Sequence, residues 1–408
     1  MIARWVARHD PRSVFLRGAA GKVTYGELAG AGSAGARRQT VVTPGSNIAS
    51  VLQLMSTPGA GRQLVLMDPG LPEDERRRRL NMAREARHRD AATIVFTSGT
   101  TGPAKAARLT EGNWEAAVAA SARHLHHEAE DTWLAAMPLH HVGGLSILYR
   151  SAFVGAGVHW LHRFSVPEVV EALRGGVTLA SFVPTMLRRV LDHDAEPFEG
   201  VRAVLVGGGP VPPGLLEEAH ERGLPALPTY GMTETCAQVA TLRPGSEPRY
   251  AAHPLPGVAI RIEEDGRVAL RGKQVSPGYS DEDDRPSGEW FITPDLGTLD
   301  ADGALRILGR ADDVIITGGE NVDPGTVEAV LLDHPLVTVA AVLGVADEEW
   351  GQRVAALYVG EAEPEVLDSW ARQRLARHEV PQLWRRVASL PTSPLGKPDR
   401  SRVRQLLE

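Results

Sequence analysis

Ala92-Thr-Ile-Val-Phe96 runs directly into Thr97-Ser-Gly-Thr-Thr-Gly-Pro-Ala-Lys105. The first five residues are apolar enough to read as a buried strand. The next nine form a loop of hydroxyls and glycines that ends in a lysine. Gly99 and Gly102 let the main chain curl so that successive N–H groups converge on an anion. Ser98, Thr100 and Thr101 add hydroxyl donors, and Lys105 adds a point charge. A strand followed by such a loop is how a backbone holds phosphates. The spacing is not G-x-x-x-x-G-K-[ST], so a P-loop is excluded.

Downstream, strand and helix signals alternate. Val177–Val183 predicts a strand and Pro184–Leu191 a helix. Val201–Val206 predicts a strand ending in Gly207, Gly208 and Gly209. A helix follows over 213–222, and then a strand over 225–229 that leads into Tyr230. Ser165 and Glu168 predict a capping box for the helix that stops before Gly175. This alternation predicts parallel sheets covered by helices, with ligands bound beyond the carboxyl ends of the strands. Short alternating strands over Arg261–Tyr279 predict a small β-rich subdomain. A boundary is expected near Gly309–Gly319, followed by a small α+β domain. The fold class is therefore α/β. The expected division is a large domain over 1–311 and a small C-terminal domain over 312–408.

Composition narrows the function. The 408 residues are 43% hydrophobic and 23% charged, with a net charge of -7. This is ordinary globular composition and gives no reason to expect nucleic acid. The single cysteine, Cys236, excludes an internal disulfide and a Cys-based metal cage, which fits a cytoplasmic protein. Neither a signal-peptide core nor a run of ~20 apolar residues is present, so no membrane span is expected. His124, His126 and His127 cluster without ligand spacing, and the Arg-rich stretch 73–89 reads as a solvated helix face.

Further blocks stand in order along the chain: Tyr230-Gly-Met-Thr-Glu-Thr235, Asp295-Leu-Gly297, Gly309-Arg-Ala-Asp-Asp313, Gly318-Gly-Glu-Asn321 and Pro391-Thr-Ser-Pro-Leu-Gly-Lys397. With the Thr97 loop, their order and spacing resemble the adenylate-forming superfamily. That superfamily contains acyl-CoA synthetases, peptide-synthetase adenylation domains and luciferases. The resemblance runs from about Val23 to the C-terminus, with a trimmed N-terminal subdomain.

The resemblance implies ATP, Mg²⁺ and coenzyme A, and gives each block a task. Thr97 to Lys105 would cradle the β- and γ-phosphates. Gly207 to Gly209 would let adenine lie against backbone, and Tyr230 would stack on it. Gly231 would permit the turn that presents Thr233 to the α-phosphate and Glu234 to Mg²⁺. Asp295 would accept hydrogen bonds from both ribose hydroxyls, with Arg310 contacting ribose and phosphate. Asp312 would be the hinge on which the small domain rotates. That rotation would bring Lys397 in for adenylation and then place Gly318 and Gly319 along the pantetheine channel. The sequence departs from the family in two places. Pro103 precedes Ala104 where the family has Gly-x-Pro-Lys, and Pro294 stands where the family has glycine before the aspartate.

The block Met137-Pro-Leu-His-His-Val-Gly-Gly-Leu-Ser-Ile-Leu-Tyr-Arg150 bears on the acid. It resembles the ligases that activate o-succinylbenzoate in menaquinone biosynthesis. His141 would gate the acyl pocket, Gly144 would line it, and Arg150 would pair with the second carboxylate of the acid. The alternatives are another aryl- or short-acyl-CoA ligase, or a stand-alone adenylation module that loads a carrier protein. The expected partners are a small carboxylic acid, ATP and CoA, and a second copy of the chain in a homodimer.

Overall fold

The computed structural model describes the chain except for residues 32–38, 59–61, 85–89, 98–103, 213, 287, 392–399 and 407–408. Runs that are apolar on both faces become central parallel strands. Ala203–Gly207 pairs in parallel with Leu179–Phe182 on one side and Ala226–Tyr230 on the other. Thr132–Ala135, Gly157–Trp160 and Val14–Gly18 continue the same parallel sense. Gly21–Thr24 and the short strands Ala240–Thr241 and His253–Pro254 complete a nine-stranded sheet. Such strands are buried on both faces because helices cover both sides. Here Val142–Val154 packs against one face, and Pro184–His193 and Leu215–Glu221 against the other.

A second, five-stranded sheet has the order Gly278–Tyr279, Ala106–Thr110, Ala91–Phe96, Gln63–Leu66, Gln39–Val42. Gly278–Tyr279 is therefore not part of the β subdomain expected over 261–279. It pairs antiparallel with Ala107–Arg108 instead. The β subdomain is the antiparallel sheet Ala259–Ile262, Arg267–Arg271, Phe291–Leu299, Leu305–Arg310. A further five-stranded sheet is built from Ile315–Thr317, Glu320–Val322, Val337–Asp347, Gly351–Gly360 and Leu383–Arg386. Helices Pro324–Leu332 and Pro364–Arg372 accompany it, with an apolar core of its own around Val327, Val342, Val354 and Leu367.

Two local expectations change. Helix Val166–Arg174 starts at Ser165, but the Ser165 side chain makes no cap. Pro167 occupies the first turn and has no N–H to offer. Capping boxes are found instead at helix Tyr25–Gly30, between Thr24 and Glu27, and at helix Glu111–Leu125, where Thr110 and Asn113 bond reciprocally at 3.1 and 2.8 Å. The Asn113 amide also donates to the carbonyls of Lys273 (2.7 Å) and Val275 (3.0 Å). These bonds tie that helix to the segment carrying Tyr279.

Candidate active site

The strand ends named by the sequence converge. Strand Ala226–Tyr230 delivers the Tyr230 ring, and its phenol donates to Asp295 Oδ2 at 2.7 Å. Burial, reinforced by that carboxylate, holds the phenol proton far above its ordinary range. Asp295 lies opposite Arg310 across the sheet, with Arg310 Nη1 at 3.8 Å from Oδ1. Arg310 also donates to Asp312 Oδ2 at 3.1 Å and stands 3.8 Å from Asp313. Pro294 is accommodated because the pairing with Arg267–Arg271 is irregular there, so no ladder N–H is required at that position. Gly207 pairs with Thr229 in the neighbouring strand, so the glycine triplet begins beside the Tyr230 strand.

After Tyr230 the chain turns back on itself. A Cβ at Gly231 would lie 1.9 Å from the Ala237 carbonyl oxygen, so only glycine fits. The turn places Thr233 and Glu234 on one 3₁₀ turn, Thr233–Thr235. Glu234 is held from two sides: its carbonyl accepts from Ser276 N–H at 2.7 Å, and its Oε1 accepts from the Tyr279 phenol. Among the described residues, Oε2 has no hydrogen-bond partner. Cys236, two residues on, is buried and unpaired, and burial keeps its thiol protonated.

The phosphate-loop residues 98–103, Ser98 to Gly102 among them, lie outside the described residues, but the ends of the loop are fixed. Thr97 N–H donates to the Lys105 carbonyl at 2.9 Å, and Lys105 N–H donates to Thr97 Oγ1 at 3.1 Å. The Lys105 ammonium lies 4.5 Å from the centre of the Tyr279 ring and 3.5 Å from Glu282. The chain Lys105–Tyr279–Glu234 thus bridges the two parallel-stranded sheets.

His141 starts helix Val142–Val154, with the His140 ring against it at 4.4 Å. Gly144 packs where a Cβ would lie 2.3 Å from the Pro138 carbonyl oxygen. Arg150 is buried, at 4% exposure, with its guanidinium 5.3 Å over the Trp133 ring. No Asp or Glu among the described residues lies within ion-pair distance of it. Burial lowers its pKa to about 10, which leaves it charged at neutral pH. His127 is also buried, and among the described residues neither of its ring nitrogens has a hydrogen-bond partner. Gly318 and Gly319 form the two-residue turn of a hairpin in the C-terminal sheet, at φ 57° and 86°. Asp312 lies in the short connection between the β subdomain and that sheet. Lys397 lies outside the described residues.

The AMP-binding enzyme model matches residues 38–280, and the AMP-binding enzyme C-terminal domain model matches residues 326–397. The chain belongs to the AMP-binding enzyme family. The 2-succinylbenzoate–CoA ligase of Bacillus velezensis is 39% identical over 78% of this chain and 69% of that protein. The o-succinylbenzoate CoA synthetase of Bacillus subtilis is 31% identical in its complex with the acyl-adenylate intermediate OSB-AMP. The TM-score to that complex is 0.89, over 98% of this chain and 97% of that one. Its complex with ATP and magnesium ion gives the same TM-score over 99% of each chain. A double mutant of that synthetase bound to its product analogue OSB-NCoA gives 0.71 at the same identity, over 99% of this chain and 98% of that one. This family's α/β fold, with a large N-terminal and a small C-terminal domain, agrees with the reading from sequence. Sequence reasoning missed Tyr279. Its only local signal is a Gly-aromatic pair ahead of the acidic run Asp281–Asp284.

Proposed function

We propose that this chain is an AMP-forming acid–thiol ligase that converts 2-succinylbenzoate, with ATP and CoA, to 2-succinylbenzoyl-CoA through an acyl-adenylate, in menaquinone biosynthesis. The observation that carries this reading is the strip Tyr230–Glu234. It joins a carboxylate suited to ribose hydroxyls, Asp295, to a second carboxylate, Glu234, beside the Lys105 cation. The similarity to named 2-succinylbenzoate–CoA ligases supports the choice of acid.

The roles follow from the chemistry. Asp295 and Arg310 fix the ribose, with Tyr230 flanking the base. Lys105 and the Thr97 loop take the departing pyrophosphate, and Thr233 takes the α-phosphate. Lys397 neutralises charge as the carboxylate attacks phosphorus, expelling pyrophosphate and forming the acyl–phosphate bond. Glu234 fits a magnesium ion, because a hard cation needs carboxylate oxygen and Oε2 is available. That ion would supply neutralisation of triphosphate charge. Arg150 meets the second carboxylate of the acid, while His141 and Gly144 shape its entry. Rotation of residues 312–408 about Asp312 removes Lys397 and brings Gly318 and Gly319 to the thiol, whose attack on the acyl carbon releases AMP. The higher similarity to the adenylate and ATP complexes than to the OSB-NCoA complex supports an orientation of the adenylation type in this structure. A homodimer and a cytoplasmic location complete the proposal; no helix of the described residues is long and apolar enough to cross a membrane.

Pyrophosphate exchange against a panel of aromatic mono- and diacids tests the substrate, and thioester formation with CoA or with a carrier protein tests the acceptor. Lys397→Ala is expected to abolish adenylation while sparing thioester formation from supplied acyl-adenylate. Exchange only with monoacids, or equal loss of both half-reactions, overturns the reading.

A further inference from the structure

Tyr279 touches two residues that the resemblance assigns to the metal–triphosphate, Glu234 to Mg²⁺ and Lys105 to the β- and γ-phosphates. Its phenol donates to Glu234 Oε1, and its ring lies under the Lys105 ammonium at 4.5 Å. Its backbone is pinned. Gly278–Tyr279 pairs with Ala107–Arg108, the Tyr279 carbonyl accepts from the buried Arg108 Nε at 3.0 Å, and Ser276 Oγ bonds the Arg108 and Gly278 carbonyls at 2.7 and 3.0 Å. Arg108 is held in turn by Asp284 at 2.5 Å. A phenol anchored this firmly removes one rotational choice from the Glu234 carboxylate and presents its other oxygen outward. The same ring faces the Lys105 ammonium, so a cation–π contact restricts where that side chain can go and keeps it in place as phosphate binds.

We infer that Tyr279 is a positioning residue: through its phenol it orients Glu234 toward the metal–triphosphate, and through its ring it stations Lys105 at the phosphate loop. The inference rests on the assignment of Glu234 proposed above. A tyrosine that merely packs would need neither contact, whereas here each arm of the side chain meets a different charged residue.

The test compares Tyr279→Phe, Tyr279→Leu, Glu234→Gln and the double variant Tyr279→Phe/Glu234→Gln. The probe is Mn²⁺ binding to the complex of each enzyme with α,β-methylene-ATP, read by electron paramagnetic resonance without turnover. AMP binding counts the folded sites in every sample. Tyr279→Phe is expected to raise the Mn²⁺ concentration for half-saturation about tenfold, the size of one lost hydrogen bond to a charged group. It should leave metal-free nucleotide affinity unchanged. Tyr279→Leu is expected to weaken metal-free binding about threefold as well, because Lys105 loses its ring. The double variant is expected to be no worse than Glu234→Gln alone. Wild-type Mn²⁺ affinity in Tyr279→Phe, or full additivity in the double variant, overturns the inference and leaves the role of Glu234 standing. Unchanged Mn²⁺ affinity in Glu234→Gln overturns both.

Discussion

The charges around Asp295 and the charge at Arg150 follow opposite plans. Asp295, Tyr230, Arg310, Asp312 and Asp313 form a chain in which Tyr230 donates to Asp295 and Arg310 faces three carboxylates. Around Arg150 the neighbours are the Trp133 ring, buried Cys236 and buried His127, and no carboxylate of the described residues lies within ion-pair distance. In the first cluster every carboxylate has the Arg310 cation close by, so the cluster stands without a ligand. A buried guanidinium without a counter-ion is costly, because desolvation is not offset. The first arrangement suits a group that recognises neutral hydroxyls. The second suits a group that waits for an anion, as the proposed second carboxylate of a diacid would be, since a monoacid has no carboxylate beyond the reacting one.

Substituting at the two regions should therefore move activity and stability differently. Asp295→Ala is expected to have the largest effect, because the proposed ribose role gives it two charge-assisted hydrogen bonds to lose. At roughly 1.5–3 kcal/mol each, kcat/KM for ATP in pyrophosphate exchange should fall on the order of 10³-fold. The thermal midpoint should also fall slightly, since Tyr230 and Arg310 lose a shared acceptor. A loss below tenfold would remove Asp295 from nucleotide recognition. Arg150→Met comes next. Exchange with 2-succinylbenzoate should fall about 30- to 100-fold, the range of one buried charged hydrogen bond, while benzoate-type monoacids change little. Its thermal midpoint should hold or rise, because an uncompensated buried charge has gone. Equal losses for monoacids and diacids, or a clear drop in the midpoint, would erase the contrast between the regions.

The sequence made one of these regions easier to read than the other. Tyr230, Gly231, Thr233 and Glu234 sit within five residues, and one strand and one turn place them all, so local chemistry was enough. Asp295 and Arg310 were named only through the family resemblance, and nothing in the sequence showed that they face each other on adjacent antiparallel strands. Tyr279 was hidden because its partner strand, Ala106–Thr110, is far away in sequence and shares with it a sheet other than that of the β subdomain. Its short alternating context looked like the preceding β subdomain. Arg150 was legible as a residue but not as an environment: helical spacing cannot distinguish a surface arginine from one buried against Trp133. His127 likewise read as part of a solvated cluster. The helix ends at Leu125, and the left-handed backbone of His126 turns His127 inward, with its ring 5.0 Å from Trp133.

That inward turn supplies the smallest and most specific test. Burial lowers the His127 pKa to about 4, with Arg150 and Arg202 adding to the effect and Asp131 opposing it. The folded value lies below the ordinary 6.5. Between pH 6.5 and about 4 the unfolded chain therefore binds a proton that the folded chain refuses, and stability is lost as pH falls through that window. The slope from this one group cannot exceed about 1.4 kcal/mol per pH unit. His127→Phe should flatten the acid side of a urea-midpoint profile by up to one proton. Arg150→Met should flatten it by less, because only one of the two repelling cations is gone. If both variants keep the wild-type slope, His127 and Arg150 do not share an interior, and the unbalanced region would have to be redrawn around Arg150 alone.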